Sequence, residues 1–151
     1  MVTKASGQFA QNQRDPSCVR VKRDLSYRHE RMVGDNWIEV GRVEDVPPGT
    51  VIGARADGRM LALVNIDGVI HALDGVCPHM KGPLWQGAIW HGQLECPWHH
   101  FRYDPATGRN TYPANVYPDD VPRLQEQIGP ACTFPVRVES GKILVNLAKP
   151  E

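Results

Sequence analysis

The chain has 151 residues, 17 Lys+Arg against 17 Asp+Glu, and a hydrophobic fraction of 41%. That is enough chain for one cored domain, and the even charge balance argues against nucleic acid as a partner. No apolar run is long enough to cross a bilayer as a helix, which argues against a membrane protein.

Residues 1–35 carry seven Lys/Arg against four Asp/Glu, and they show no sustained period of two or of 3.6. They read as an N-terminal extension, partly disordered or draped on a domain that spans 36–151. Met1 to Gln13 lacks the apolar stretch of a signal peptide and any twin-arginine motif, which predicts a cytoplasmic protein. The first predicted strand is Trp37–Val40, followed by the turn Pro47-Pro48-Gly49. Val51–Ala56, Leu61–Ile66 and Val69–Leu73 follow as strands, joined by Asp57-Gly58 and Asp67-Gly68. Asp-Gly between apolar runs marks a two-residue hairpin, because both turn residues must take positive φ. A loop over about 74–85 comes next. Ala88–Trp90 and Gln93–Glu95 then flank the turn His91-Gly92. A second loop, about 96–104, runs through the strand Phe101–Tyr103 into the turn Asp104–Gly108. Residues 113–135 contain Pro113, Pro118, Pro122, Pro130 and Pro135, and read as a long loop with one helical turn at Arg123–Ile128. Val136–Glu139 and Lys142–Asn146 make a last hairpin around Ser140-Gly141. Many short strands with Gly and Pro turns predict an all-β sandwich or barrel.

The chemistry sits in the two loops. Cys77-Pro78-His79 and Cys96-Pro97-Trp98-His99 form C-x-H and C-x-x-H pairs with 16 residues between them. Each pair brings one thiolate and one imidazole within reach of a metal centre. Structural zinc is the common taker of mixed Cys/His sets, but its usual knuckle is C-x₂₋₄-C with H-x₃₋₅-H, and neither half has that form. Two thiolates on one iron and two imidazoles on the other give the alternative, a [2Fe–2S] centre in which His₂ replaces Cys₂ and raises the potential.

The stretches C-P-H-M-K-G-P-L-W-Q-G (77–87) and C-P-W-H-H-F-R-Y-D-P-A-T-G (96–108) closely resemble the Rieske [2Fe–2S] family, and the resemblance extends over roughly 36–148. It implies a Rieske-type antiparallel β-sandwich with an inserted cluster-binding subdomain, and one [2Fe–2S] cluster. By the same resemblance Cys77 and Cys96 would hold the inner iron, and His79 and His99 the outer one. Gly82 and Pro83 would shape the first loop, Trp98 would shield the cluster, Tyr103 would donate to a cysteine sulfur, and Pro113 would belong to a covering loop. His100 replaces the glycine that usually follows the second pair, and reads as a surface group.

The high-potential members of the family have two further cysteines that join the loops. Lys81 and Trp98 stand at those places here, and Phe101 stands where a serine would donate to a bridging sulfide. The resemblance therefore implies a potential in the lower half of the Rieske range, roughly −150 to +50 mV. The family's oxygenase subunits add a large domain with a 2-His-1-carboxylate iron site, for which this sequence leaves no residues. The expectation is a ferredoxin-type one-electron carrier between a reductase and a terminal oxygenase or other redox enzyme. It would dock through the His79/His99 tip, with Met80, Trp85 and His100 beside it. An electron-relay or regulatory small subunit of a larger reductase, like those of nitrite reductases, is the alternative; a structural zinc interaction module is a further one. Cys18 and Cys132 are expected to be thiols in a reducing compartment, with Cys132 a small packed residue; a Cys18–Cys132 disulfide is the alternative, with no sequence feature in its favour.

Overall fold

The computed structural model describes residues 36–116 and 128–148. Among these the chain forms β1 (Trp37–Arg42), β2 (Val51–Ala56), β3 (Arg59–Ile66), β4 (Val69–Asp74), β5 (Ala88–Trp90), β6 (Gln93–Glu95), β7 (Arg102–Tyr103), β8 (Asn110–Tyr112), β9 (Thr133–Phe134), β10 (Val136–Glu139) and β11 (Lys142–Asn146). Single 3₁₀ turns occur at Val43–Asp45 and Leu84–Gln86.

Three antiparallel sheets result, in the orders β1-β11-β10, β2-β3-β4-β9 and β5-β6-β7-β8. The hairpin turns behave as their composition requires. Asp57-Gly58, Asp67-Gly68, His91-Gly92 and Ser140-Gly141 all have positive φ at both positions. A two-residue turn of that hand matches the twist of the strands it joins.

β3 explains the layering. Its Leu61-Ala62-Leu63-Val64 run is buried on both faces. Leu61 and Leu63 join Val46, Ile70, Phe134, Ile143 and Val145 in one core, against the β1-β11-β10 sheet. Ala62 and Val64 point the other way, into a second core with Leu73, Leu84, Leu94, Cys77, Cys96, Phe101 and Tyr103. Period-two alternation on a doubly covered strand thus puts the sandwich behind β3 and the small β5–β8 sheet in front of it. That small sheet is inserted between β4 and β9, which pair as Ala72↔Phe134 and Leu73↔Thr133.

The predicted strands are all present, several with an extra residue or two, while Phe101–Tyr103 is shortened to Arg102–Tyr103. Two elements have no counterpart in the sequence reading: β8, and β9 inside the Pro-rich segment. The helical turn expected at Arg123–Ile128 lies outside the described residues except for Ile128, which is buried. Cys132 corrects an expectation. It is disulfide-bonded rather than a thiol, while Cys77 and Cys96 are free. Cys18 lies outside the described residues.

Candidate metal centre

The two loops that hold the Cys/His pairs repeat one backbone pattern. In the first, Cys77 N–H donates to the Gly82 carbonyl (2.8 Å) and Lys81 N–H donates back to the Cys77 carbonyl (2.9 Å). In the second, Cys96 N–H donates to Phe101 (2.8 Å) and His100 N–H to Cys96 (3.0 Å). The residue four past each cysteine turns the corner with positive φ, 61° at Lys81 and 59° at His100. His100 is therefore the structural counterpart of Lys81, which explains why the resemblance leads one to expect glycine there. A bulky residue in this region of backbone space is uncommon.

Each loop is tied to the body. Gly75 N–H donates to Met60 (2.9 Å), and a Cβ at Gly75 would come within 2.8 Å of that carbonyl. Leu84 is fully buried beneath the first loop. Below the second, Glu95 accepts from Arg102 Nε (2.7 Å) and pairs with His100 Nδ1 (3.0 Å), and the Arg102 guanidinium lies 3.6 Å from the Trp90 ring centre. The Arg102 contact, then that of His100, holds the Glu95 carboxyl below its ordinary range.

Between the loops the polarity is split. Cys77 and Cys96 are each 1% exposed, His79 is half-buried and His99 is exposed. The neighbouring Cys96 side chain holds the Cys77 thiol down to about 6, and the Cys77 sulfur in turn pushes Cys96 up. Tyr103, fully buried, places its hydroxyl 3.3 Å from Cys77 Sγ. Burial, then the Cys77 sulfur, pushes the Tyr103 phenol upward. The His79 and His99 rings meet edge to face at 4.9 Å. Burial, then the charge of His99, lowers His79. The second face of His79 stacks on Phe101 at 3.9 Å, a contact that no sequence signal announced.

The donor set suits a two-iron centre. Thiol pairing and imidazole pairing put soft donors inside and nitrogen donors outside. His79 Nδ1 is buried and has no hydrogen-bond partner, as a nitrogen that ligates a metal would be.

Other residues singled out in the sequence are dispersed around this arrangement. Gly82 is buried under the Trp98 ring, where a Cβ would meet ring carbons at 3.1 Å and Cys96 Sγ at 3.2 Å. The residue facing Trp98 across the loops is thus Gly82, not Lys81, whose side chain is exposed. Trp98 itself is 56% exposed. Pro83 bridges to Val76, and Pro113 is buried. Trp85 does not border the tip. It is half-buried against the second core, so close to β2 that a Cβ at Gly53 would clash with it at 2.6 Å.

Fold and site together define a class, a small all-β protein whose two loops present a Cys₂His₂ donor set suited to a two-iron centre. A family model for the Rieske [2Fe-2S] domain matches residues 36–122. The ferredoxin component of the naphthalene 1,2-dioxygenase/salicylate 5-hydroxylase systems of a Ralstonia species is 30% identical, over 74% of this chain and 96% of its own. The solved structure of Sphingomonas yanoikuyae B1 ferredoxin matches with a TM-score of 0.59 at 25% identity, over 74% of this chain and 98% of that one. The putative NADH-dependent nitrite reductase small subunit from Mycobacterium tuberculosis shares the fold, with a TM-score of 0.56 at 23% identity, over 72% of this chain and 92% of that one. The chain belongs to the Rieske [2Fe–2S] domain family. Its cofactor is one [2Fe–2S] cluster and its role is one-electron transfer, so the zinc reading is set aside.

Proposed function

We propose that Cys77 and Cys96 hold the inner iron and His79 and His99 the outer one, and that the chain carries electrons from a reductase to a terminal oxygenase. The observation that supports this most is the burial split, with both thiols enclosed and the imidazole edge at the surface. The bound cluster supplies a one-electron couple, with the electron on the His-ligated iron. The chain's own residues arrange the rest. Burial, then the charge of His99, lowers the affinity of His79 for protons, which favours the neutral ring a ligand needs. Tyr103 O–H donates to Cys77 and offsets negative charge on sulfur. Gly82 and Pro83 form the first loop, Trp98 covers Gly82, and Pro113 is buried directly after β8.

The His79/His99 edge is the proposed docking tip. Met80 and Trp98 are exposed apolar side chains on the same two loops, at 58% and 56%. An apolar rim around a polar centre suits brief, short-range contact with a redox partner. The oxygenase assignment draws on the role named for the Ralstonia relative. We assign 36–151 to the Rieske domain and 1–35 to an extension of it. We also place the carrier in the cytoplasm, where the disulfide at Cys132 has to persist against a reducing poise. The second reading, a relay subunit of a nitrite-reductase-like complex, is favoured only by the shared fold. Gel filtration from the native source separates a free carrier from a subunit.

Anaerobic reconstitution tests the site. Iron and acid-labile sulfide should each reach about two per chain with a red-brown colour. Cys77→Ala and Cys96→Ala should remove both. A protein that takes up only zinc under these conditions overturns the reading.

A further inference from the structure

The second loop turns its corner on His100, at a φ of +59° that glycine would take freely and a ring-bearing residue takes at a cost. The side chain is exposed, yet it is anchored. Its Nδ1 lies 3.0 Å from Glu95 Oε1. A carboxylate only accepts, so the ring donates that hydrogen. The other carboxylate oxygen, Oε2, accepts from Arg102 Nε at 2.7 Å. Glu95 and Arg102 are ladder partners between β6 and β7, and their side chains are only 19% and 21% exposed. Arg102 is itself fixed, with its guanidinium 3.6 Å from the Trp90 ring centre and 4.9 Å from that of Tyr112. The inserted sheet thus holds one oxygen of the carboxylate and offers the other to the loop.

The two cluster loops differ in how they are braced. The first is closed by the Val76↔Pro83 bridge, and Trp85 N–H ties its base to the Gly75 carbonyl at 3.2 Å. Among the described residues the second loop has no such bridge. Its corner is flanked by His99 on one side and on the other by Phe101, which stacks on His79. A corner that rocks therefore disturbs both imidazoles. We propose that Glu95 is a positioning residue for the cluster: its carboxylate, braced by Arg102, anchors the His100 ring and so holds the left-handed corner that sets the His99 and His79 rings. The anchor offsets the left-handed penalty that glycine would not incur. Glu95 is not among the proposed ligands and acts through His100. The inference rests on the reading of His79 and His99 as ligands of the outer iron.

A double-mutant cycle on the loaded, full-length chain tests it. The readouts are the rate of iron release to a chelator, the electron paramagnetic resonance spectrum of the reduced cluster, and hydrogen exchange of the peptide that spans the second loop. Glu95→Leu removes both hydrogen bonds at similar volume. Release and exchange should each quicken by about threefold to tenfold, the scale of one partly exposed charged hydrogen bond. The g-values should also move, because the ring orientations are no longer fixed; a loop that is merely less stable would speed release without moving them. His100→Ala keeps the positive φ and loses the anchor, so it should behave like Glu95→Leu. His100→Gly needs no anchor and should keep the wild-type rates and spectrum. In that background Glu95→Leu should add only the cost of the lost Arg102 contact, which is common to both arms and cancels in the cycle. If Glu95→Leu does equal harm with glycine or histidine at position 100, the proposal is overturned. Wild-type rates and spectrum in His100→Ala overturn it as well, and that variant decides if Glu95→Leu does not load. Iron and sulfide that both survive in His99→Ala refute the ligand reading itself, while the exchange rates still decide whether Glu95 holds the corner.

Discussion

Tyr103 brings a hydroxyl to 3.3 Å from a buried sulfur in a place that water does not reach. A donor to sulfur lowers the energy of the reduced cluster more than that of the oxidised one, since the reduced cluster is the more negative. Tyr103→Phe deletes the donor and keeps the ring in the second core. Its midpoint should fall by tens of millivolts, on the scale of ~59 mV for the ~1.4 kcal/mol that one hydrogen bond to a charged group supplies. Voltammetry at pH 7 reads the shift, and an unmoved midpoint would show that the hydroxyl does not bond Cys77 in the loaded protein. Side chains of this kind differ in how visible they are in sequence. The two Cys/His pairs stand out because few chemistries use that ligand mixture at that spacing. Tyr103 stands out only through the family resemblance. Phe101 and Asn110 carry no signal of their own. The first stacks on His79 across a loop, and the second faces Tyr103 through a register pairing between two strands of two and three residues. Such relationships exist only once the ladder has formed.

The same contrast holds for whole elements. Hairpins closed by Asp-Gly, His-Gly and Ser-Gly were legible because only a few residues tolerate their backbone. β8 and β9 were not, since strands of three and two residues are too short to show alternation. Besides its pairing with β4, β9 is tied to the inserted sheet through the segment before it, which meets the turn Asp104–Gly108. Ala131 N–H donates to the Gly108 carbonyl at 2.8 Å. Gly108 has φ +72°, and a Cβ there would overlap the Ala131 carbonyl. Gly58 has a similar φ of +78° but open space around it. The pair separates backbone preference from close approach. Gly58→Ala should cost only the left-handed penalty of about 1–2 kcal/mol. Gly108→Ala should cost more, because the turn must also leave Ala131. The temperature at which the visible absorbance of the cluster disappears should fall further in Gly108→Ala, and equal losses would mean that the turn does not need that contact.

At the level of the whole molecule, the sandwich lies behind β3 and the inserted β5–β8 sheet in front of it, with His99 exposed on the second loop. Met80, 58% exposed beside His79, belongs to the surface proposed to meet the redox partner. Met80→Glu adds a charge to that rim without touching the buried thiols. Electron delivery in stopped-flow mixing with the native oxygenase should slow severalfold while the absorbance spectrum and midpoint stay as they were. Unchanged rates would move the docking surface away from the tip. The overall arrangement was legible from strand number and turn spacing. The doubly covered role of β3 was only hinted at by its unbroken apolar run, because such a run does not say which two layers it will separate. The way the insertion is seated has an engineering consequence. The chain leaves the base at Leu73 and re-enters it at Thr133, and these two residues are ladder neighbours. The cluster-bearing part is therefore a cartridge that leaves and re-enters the base at one ladder pair, and is seated besides by the Gly75–Met60 hydrogen bond and by Trp85 against β2. A chimera cut at Leu73 and Thr133 should accept the cartridge of another family member, provided that the donor's side chains fit the face presented by Ala62 and Val64. The potential would then travel with the cartridge and the expression behaviour with the base, so that each could be selected without re-optimising the other.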